Sequence, residues 1–104
     1  MGQHTLKITI HETDDAMAIQ LEGRIAGPWV AELSRTWAEA VPRLSSRKVS
    51  IDLCGVTYAD VSGKQVLRDI YRQTGANLVA NSPWAEYLAE EIANSNTYPI
   101  NQEL

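Results

Sequence analysis

Residues 51–67, with the sequence IDLCGVTYADVSGKQVL, run from an apolar strand directly into an amphipathic helix. Apolar side chains alternate in the first part, and the three-and-four spacing of a helix starts at Val66. The turn between the two parts contains Asp60, Ser62 and Gly63. A hydroxyl group here lies at the carboxyl end of a strand and the amino end of a helix, the edge where open α/β sheets usually bind ligands. The segment therefore predicts an α/β fold with a functional turn after this strand.

The rest of the chain alternates between the periodicities of strands and helices. Strands are expected over residues 6–10, 16–21, 49–53 and 77–80, and helices after Pro28, Ser62 and Ser82. The first helix is expected to end at Ser45–Ser46 and the second at Gly75. Apolar stripes should turn inward at Trp29, Leu33, Trp37, Val41 and Leu44 in the first helix and at Trp84, Leu88 and Ile92 in the third.

The order of the predicted elements is β-β-α-β-α-β-α. It indicates an α/β domain with a mixed sheet, opened by a β-hairpin, on which the helices pack. A helix follows each later strand, so parallel pairing is expected there. The 104 residues contain no repeat or linker and predict one domain, with a core over about 5–93 and a polar tail over 94–104. Within that tail, Tyr98-Pro99-Ile100 is compatible with a short edge strand or with simple packing.

Composition excludes several classes of function. The net charge is −4, and the nine basic residues never form a run of more than two, which argues against a nucleic-acid-binding face. Cys54 is the only cysteine, so we expect no disulfide and no cysteine-pair metal site, and burial as a small apolar residue. The amino-terminal sequence does not resemble a signal peptide, and no apolar run is long enough to span a membrane. We therefore expect a cytoplasmic protein without a cofactor.

The sequence around the turn does not match the motifs of three known kinds of site. A P-loop needs four residues between its first glycine and the Gly-Lys pair, whereas seven residues separate Gly55 from Gly63, and Gln65 replaces the required hydroxyl residue. A hydrolase nucleophile elbow needs glycines two residues on either side of the serine, where Asp60 and Lys64 stand. A phosphorylated receiver domain does not open with a hairpin. No other constellation suggests an enzyme.

Ser62 has two interpretations that spacing does not separate. Ser62 and Gln65 match a capping box, in which the serine caps the helix and contributes about 1 kcal/mol. Asp60 would then be a turn residue that binds its local backbone. Alternatively, Ser62 accepts a phosphoryl group, which would meet the free N–H groups and positive dipole of the helix.

The order of these segments resembles that of the STAS domain family, which includes bacterial anti-sigma factor antagonists. The resemblance covers roughly residues 6–92. It is carried by the strings LEGRI at 21–25, IDLCGVTY at 51–58, DVSG at 60–63 and GANLV at 75–79. The antagonists have a pattern resembling D-S-[S/T]-G at the turn, from which this chain differs at Val61, and it differs again at the following Lys64.

The resemblance implies a bacterial signalling protein that regulates transcription by binding a partner rather than by catalysis. Ser62 would be the phosphoacceptor and Asp60 its supporting acid, and Val61, Gly63 and Lys64 would complete the partner-binding surface. The expected partner is an anti-sigma factor with serine kinase activity. Two alternatives remain open at this point: a constitutive adaptor subunit of a lipid-transport ATPase complex, and a small-molecule sensor that uses a cleft near Asp60.

Overall fold

The computed structural model describes residues 5–94. The polar tail predicted from residue 94 onward therefore lies outside the described residues apart from Asn94, as does the edge strand considered at Tyr98–Ile100. Within the described part, a single α/β domain with the predicted order of elements is confirmed.

Four strands and three α-helices form the part of the domain that the structure describes. Their bounds are β1 (Leu6–Glu12), β2 (Ala16–Ile25), α1 (Pro28–Ala40), a 3₁₀ turn (Val41–Arg43), β3 (Lys48–Ala59), α2 (Val61–Thr74), β4 (Asn77–Val79) and α3 (Pro83–Ala93). The sheet order is β1-β2-β3-β4. β1 pairs with β2 antiparallel, and β2–β3 and β3–β4 pair parallel, so the mixed sheet predicted from sequence is confirmed.

The core lies between the helices and one face of the sheet. Its fully buried large side chains are Met17, Ile19, Leu21, Ile25, Leu33, Ile51, Leu53, Leu67, Ile70, Leu88 and Ile92. Those on β2 and β3 come from alternate positions, because successive strand side chains point to opposite faces. This core holds the carboxyl ends of β2 and β3 side by side, and these ends precede α1 and α2.

Two residues of the predicted helix stripes were assigned wrongly. Val41 is 42% exposed because it begins the 3₁₀ turn, whose three residues per turn break the phase of the α-helical stripe. Ala40 is buried instead. Trp84 is 40% exposed, since the buried stripe of α3 starts one position later, at Ala85.

The strands also differ from their expected form, and β2 runs to Ile25, four residues beyond the expected end at residue 21. β3 runs to Ala59, six residues beyond the expected end at residue 53, so little chain separates it from α2. β4 was expected to be buried, but among the described strands it pairs only with β3, and both Asn77 and Val79 are exposed. Among residues 5–94 it is the last strand of the sheet, and no other described strand pairs with its outer edge.

Candidate functional site

Asp60, rather than Ser62, caps α2. The backbone of Asp60 is extended, and its carboxylate oxygen Oδ1 accepts a hydrogen bond of 2.7 Å from the backbone N–H of Gly63. Ser62 lies inside the first helical turn and is exposed, so the capping box predicted with Gln65 is wrong. The longer β3 explains the difference, because it brings the chain to the sheet edge at Asp60 and the helix starts immediately afterwards. The turn interpretation of Asp60 is confirmed.

The second carboxylate oxygen of Asp60 binds a different part of the chain. Oδ2 accepts a hydrogen bond of 3.2 Å from the backbone N–H of Gly27, the residue before α1. The backbone N–H of Asp60 also donates to the carbonyl oxygen of Ile25, at 3.1 Å, where β2 ends. Asp60 thus connects the end of β2, the start of α1 and the start of α2.

Gly63 permits close contact between α2 and β2. A Cβ atom on Gly63 would lie 2.5 Å from the carbonyl oxygen of Ile25 and 2.8 Å from its Cγ2. Gly63 is itself buried. This position needs glycine for space, because its neighbours are backbone and a β-branched side chain that cannot easily move away.

The exposed part of this region is a small surface that we call the α2 surface, formed by Val61 and Ser62. Val61 is 79% exposed, the highest value among the exposed large hydrophobic residues of the described chain. Tyr58 is 42% exposed, and the guanidinium of Arg24 lies over its ring, 4.4 Å from the centroid. An apolar side chain and a hydroxyl therefore project from a rigid strand-to-helix junction.

The residues predicted to bind a partner do not all belong to this surface. Val61 is exposed, whereas Gly63 is buried and Asp60 is half-buried with both carboxylate oxygens hydrogen-bonded. Lys64 Nζ lies 2.9 Å from Glu91 Oε1 on α3, so its charge is engaged in an ion pair between the two helices. The structure brings all five predicted residues together at the start of α2, but it divides them into exposed and supporting residues.

The roles of three residues in this region were missed by the sequence analysis. The backbone N–H of Gly27 donates a hydrogen bond to the Asp60 carboxylate across 33 residues of sequence. Arg24 and Tyr58 lie on adjacent strands and are paired in register, which no local pattern indicates. The available signal was Gly27 before Pro28. Glycine has no side chain that could cap α1, which indicates that another part of the chain supports the start of this helix.

Next to the α2 surface is an open cavity of about 510 Å³, lined by Arg24, Ala26, Gly27, Pro28 and Trp29. Arg24 is its single charged side chain. Among residues 5–94, no group of histidine, cysteine, aspartate or glutamate side chains is arranged to hold a metal ion. Over the same residues, no helix is long and apolar enough to cross a membrane.

Cys54 lies on β3 and is half-buried, rather than fully buried as expected. A side-chain hydrogen bond with Asp52 raises the pKa of the Cys54 thiol, and desolvation and the negative charge of Asp52 act in the same direction. A higher pKa leaves less thiolate at neutral pH, and the thiolate is the reactive form.

We therefore expect Cys54 to react with iodoacetamide at pH 8 more slowly than a free cysteine in a short peptide. Asp52→Asn should accelerate the reaction because it removes the negative charge that disfavours the thiolate. The rate is followed by intact mass, with Asp69→Asn on the exposed face of α2 as the control. Equal rates for the protein and Asp52→Asn would contradict the role of Asp52.

Comparisons with known proteins agree with this architecture. A family model described as "Mlab, STAS domain" matches residues 8–89. A structure titled as an anti-sigma factor antagonist from Mycobacterium paratuberculosis matches with a TM-score of 0.71 at 18% identity, over 89% of this chain and 81% of that one. An uncharacterised DUF3478-family protein with a SpoIIAA-like fold, from Shewanella loihica PV-4, matches with a TM-score of 0.60 at 14% identity, over 94% and 84% of the two chains. No curated protein matches significantly.

The structural matches establish the fold, which agrees with the predicted order of elements. The family model spans most of the chain, from within β1 to the second turn of α3, and includes the whole junction around Asp60 and Ser62. This chain belongs to the STAS domain family.

Proposed function

We propose that this protein is an interaction module that docks on an anti-sigma factor with serine kinase activity through the α2 surface. The observation that best supports this proposal is the exposure of Val61 and Ser62 on a junction held in place by Asp60 and Gly63. An exposed apolar side chain on a rigid element provides contact area at little entropic cost. The role requires binding without catalysis, in the cytoplasm, where sigma factors act.

Phosphorylation of Ser62 would end docking in this proposal. A phosphoryl group adds a charge of about −1.5 to −2 at neutral pH. Ser62 lies in the first turn of α2, where the helix dipole tolerates negative charge, so the fold should remain intact. At the docked interface the same charge must lose its water next to Asp60 and apolar Val61, which weakens binding.

Ser62→Asp should therefore raise the dissociation constant of the partner complex by about tenfold. Its melting temperature should stay the same or rise slightly, because an acid in the first helical turn is favourable. Ser62→Ala should bind normally but accept no phosphate from the cognate kinase. Calorimetry, thermal unfolding and intact mass give the three measurements.

The matched control is Ser46→Asp, which adds the same charge on an exposed loop before β3. Equal losses of affinity for Ser46→Asp and Ser62→Asp would show a general charge effect and overturn the switch. Phosphate incorporation that persists in Ser62→Ala would overturn the choice of acceptor.

A second candidate is a constitutive adaptor subunit of a lipid-transport ATPase complex, as the resemblance to STAS domains implies. The exposed Val61 supports this role as well as the first, because permanent interfaces are more apolar than transient ones. In this role Ser62 stays unmodified. A pull-down from the native host, with intact mass recorded on the recovered protein, separates the two: a kinase-like regulator with phosphorylated protein supports the switch, and a transporter ATPase with unmodified protein supports the adaptor.

A further inference from the structure

An open groove of about 450 Å³ lies between β4 and α3. One wall consists of Ala76, Asn77, Leu78 and Ala80, the other of Glu86, Ala89, Glu90 and Ala93, and Tyr71 of α2 also lines it. Small and apolar side chains thus form the floor, while two carboxylates lie along one side. None of the residues of the α2 surface lines this groove, so it is a separate feature of the domain.

The strand wall of the groove has an edge that no other strand of residues 5–94 covers. In the described part of the chain, β4 is paired with β3 on one side and is the last strand of the sheet. Asn77 is exposed, and Val79 is 38% exposed. A strand edge with unpaired backbone groups is a template on which an extended peptide can add one more strand, with alternate side chains entering neighbouring pockets.

The helix wall has uncompensated negative charge. Glu86 and Glu90 are one helical turn apart on the same face of α3, both are exposed, and neither forms a salt bridge within residues 5–94. The third acid of the helix, Glu91, is already paired with Lys64. Glu90 lies in the last turn, at the negative end of the helix dipole, and that turn contains no basic residue. Like charges at this spacing repel each other, so a cation placed between them would be stabilised.

We propose that this groove binds an extended, basic segment of a partner protein. The segment adds a strand at the open edge of β4, places a lysine or arginine between Glu86 and Glu90, and inserts an apolar side chain beside Leu78 and Ala89. Peptide backbone hydrogen bonds supply affinity in this mode, and the side-chain pockets supply specificity.

Charge distinguishes this occupant from the chain's own carboxyl-terminal segment. Residues 95–104, with the sequence SNTYPINQEL, contain one glutamate and no lysine or arginine. That segment would bring further negative charge to Glu86 and Glu90. A basic partner segment complements them, and for this reason the groove favours a second protein.

The test uses the full chain and a fluorescent heptapeptide of alternating lysine and valine, with a peptide of alternating glutamate and valine for comparison. Binding is followed by fluorescence anisotropy, and its location is found from the backbone amide shifts of residues 76–80 and 86–93. The double variant Glu86→Gln/Glu90→Gln removes the two charges of the groove. Asp14→Asn/Asp15→Asn removes two charges from the exposed turn between β1 and β2 and is the matched control.

We expect the lysine peptide to bind and the glutamate peptide not to bind. The groove variant should weaken binding by about tenfold, as expected for the loss of two exposed ion pairs, and the control variant should have little effect. Ala89→Phe, which fills the groove without changing charge, should also weaken binding. Amide shifts should be confined to Tyr71 and to residues 76–80 and 86–93, which line the groove or lie beside it.

Three results would overturn the proposal. Equal losses for the two charge-removing variants would show that only net charge matters. Amide shifts centred on residues 58–64 would place the peptide on the α2 surface. Tighter peptide binding by the full-length variant Tyr98→Ser/Ile100→Ser would show that the chain's own tail occupies the groove. Variants of Ser62 do not enter this experiment, so its outcome is independent of the function proposed for the α2 surface.

Discussion

Replacing Gly63 with valine is expected to destabilise the domain by about 3 kcal/mol or more, because the new side chain enters space occupied by β2. A Cβ atom at this position would lie 2.5 Å from the carbonyl oxygen of Ile25. That oxygen also accepts the hydrogen bond from the backbone N–H of Asp60, so it cannot move without loosening the junction. Urea unfolding, monitored by tryptophan fluorescence, measures the change.

The smaller substitution Gly63→Ala tests whether steric conflict with β2 is the cause of the destabilisation. In a solvent-exposed helix, glycine to alanine stabilises by about 1 kcal/mol. Here we expect a loss of about 1–3 kcal/mol, because the steric conflict exceeds the gain in helix propensity. Ser62→Ala is the matched control, since it changes the neighbouring exposed residue of the same turn and should alter stability by less than about 0.5 kcal/mol. A more stable Gly63→Ala protein would show that α2 does not abut β2.

The succession of strands and helices could be predicted from the sequence because each element has a regular periodicity over its own length. The alternation in residues 6–10 and 16–21 and the stripe around Leu33 and Trp37 are local signals, and the structure confirms these elements. The errors arise where an element changes its period or its starting point. At Val41 the chain changes from α-helical to 3₁₀ geometry, and Trp84 precedes the buried stripe of α3 by one residue. A small shift of phase changes which side chain is buried.

The cap of α2 was misassigned for a related reason. Asp60 and Ser62 are both good capping residues, and each is followed three residues later by a backbone N–H that its side chain can accept from. The local pattern therefore allows α2 to start after either residue. The choice depends on where β3 ends, and β3 continues because its residues pair with β2 as far as Ala59. Pairing between strands distant in sequence is not visible in the turn itself.

Contacts between distant parts of the chain account for the rest of the site. Gly27 and Asp60 are 33 residues apart, and Lys64 pairs with Glu91 on another helix. No spacing rule within a single element predicts such contacts. The sequence identified the residues at the start of α2, but only the fold shows that Val61 and Ser62 are exposed while Asp60, Gly63 and Lys64 support them.

Replacing Asp60 with alanine is expected to cost about 2–3 kcal/mol of unfolding free energy. The loss of the helix cap contributes about 1–2 kcal/mol, and the loss of the hydrogen bond from Gly27 contributes about 1 kcal/mol more. Asp60→Asn should lose less stability than Asp60→Ala, since its amide oxygen can still cap α2. It should still lose some stability, because its NH₂ group cannot accept the hydrogen bond from Gly27. Urea unfolding measures both changes.

Asp69→Ala is the control for the removal of a carboxylate, because Asp69 is exposed in the middle of α2 and its hydrogen bond is to Gln65. Hydrogen exchange at the backbone amides of Gly27 and Gly63 then distinguishes two roles of Asp60: positioning of the docking residues, and direct contact with the partner. Both oxygens of Asp60 are bound within the domain, so Asp60 should affect docking by positioning Val61 and Ser62. Weaker docking by Asp60→Ala should accompany faster exchange at both amides. Weaker docking with unchanged exchange would instead mean that Asp60 contacts the partner itself.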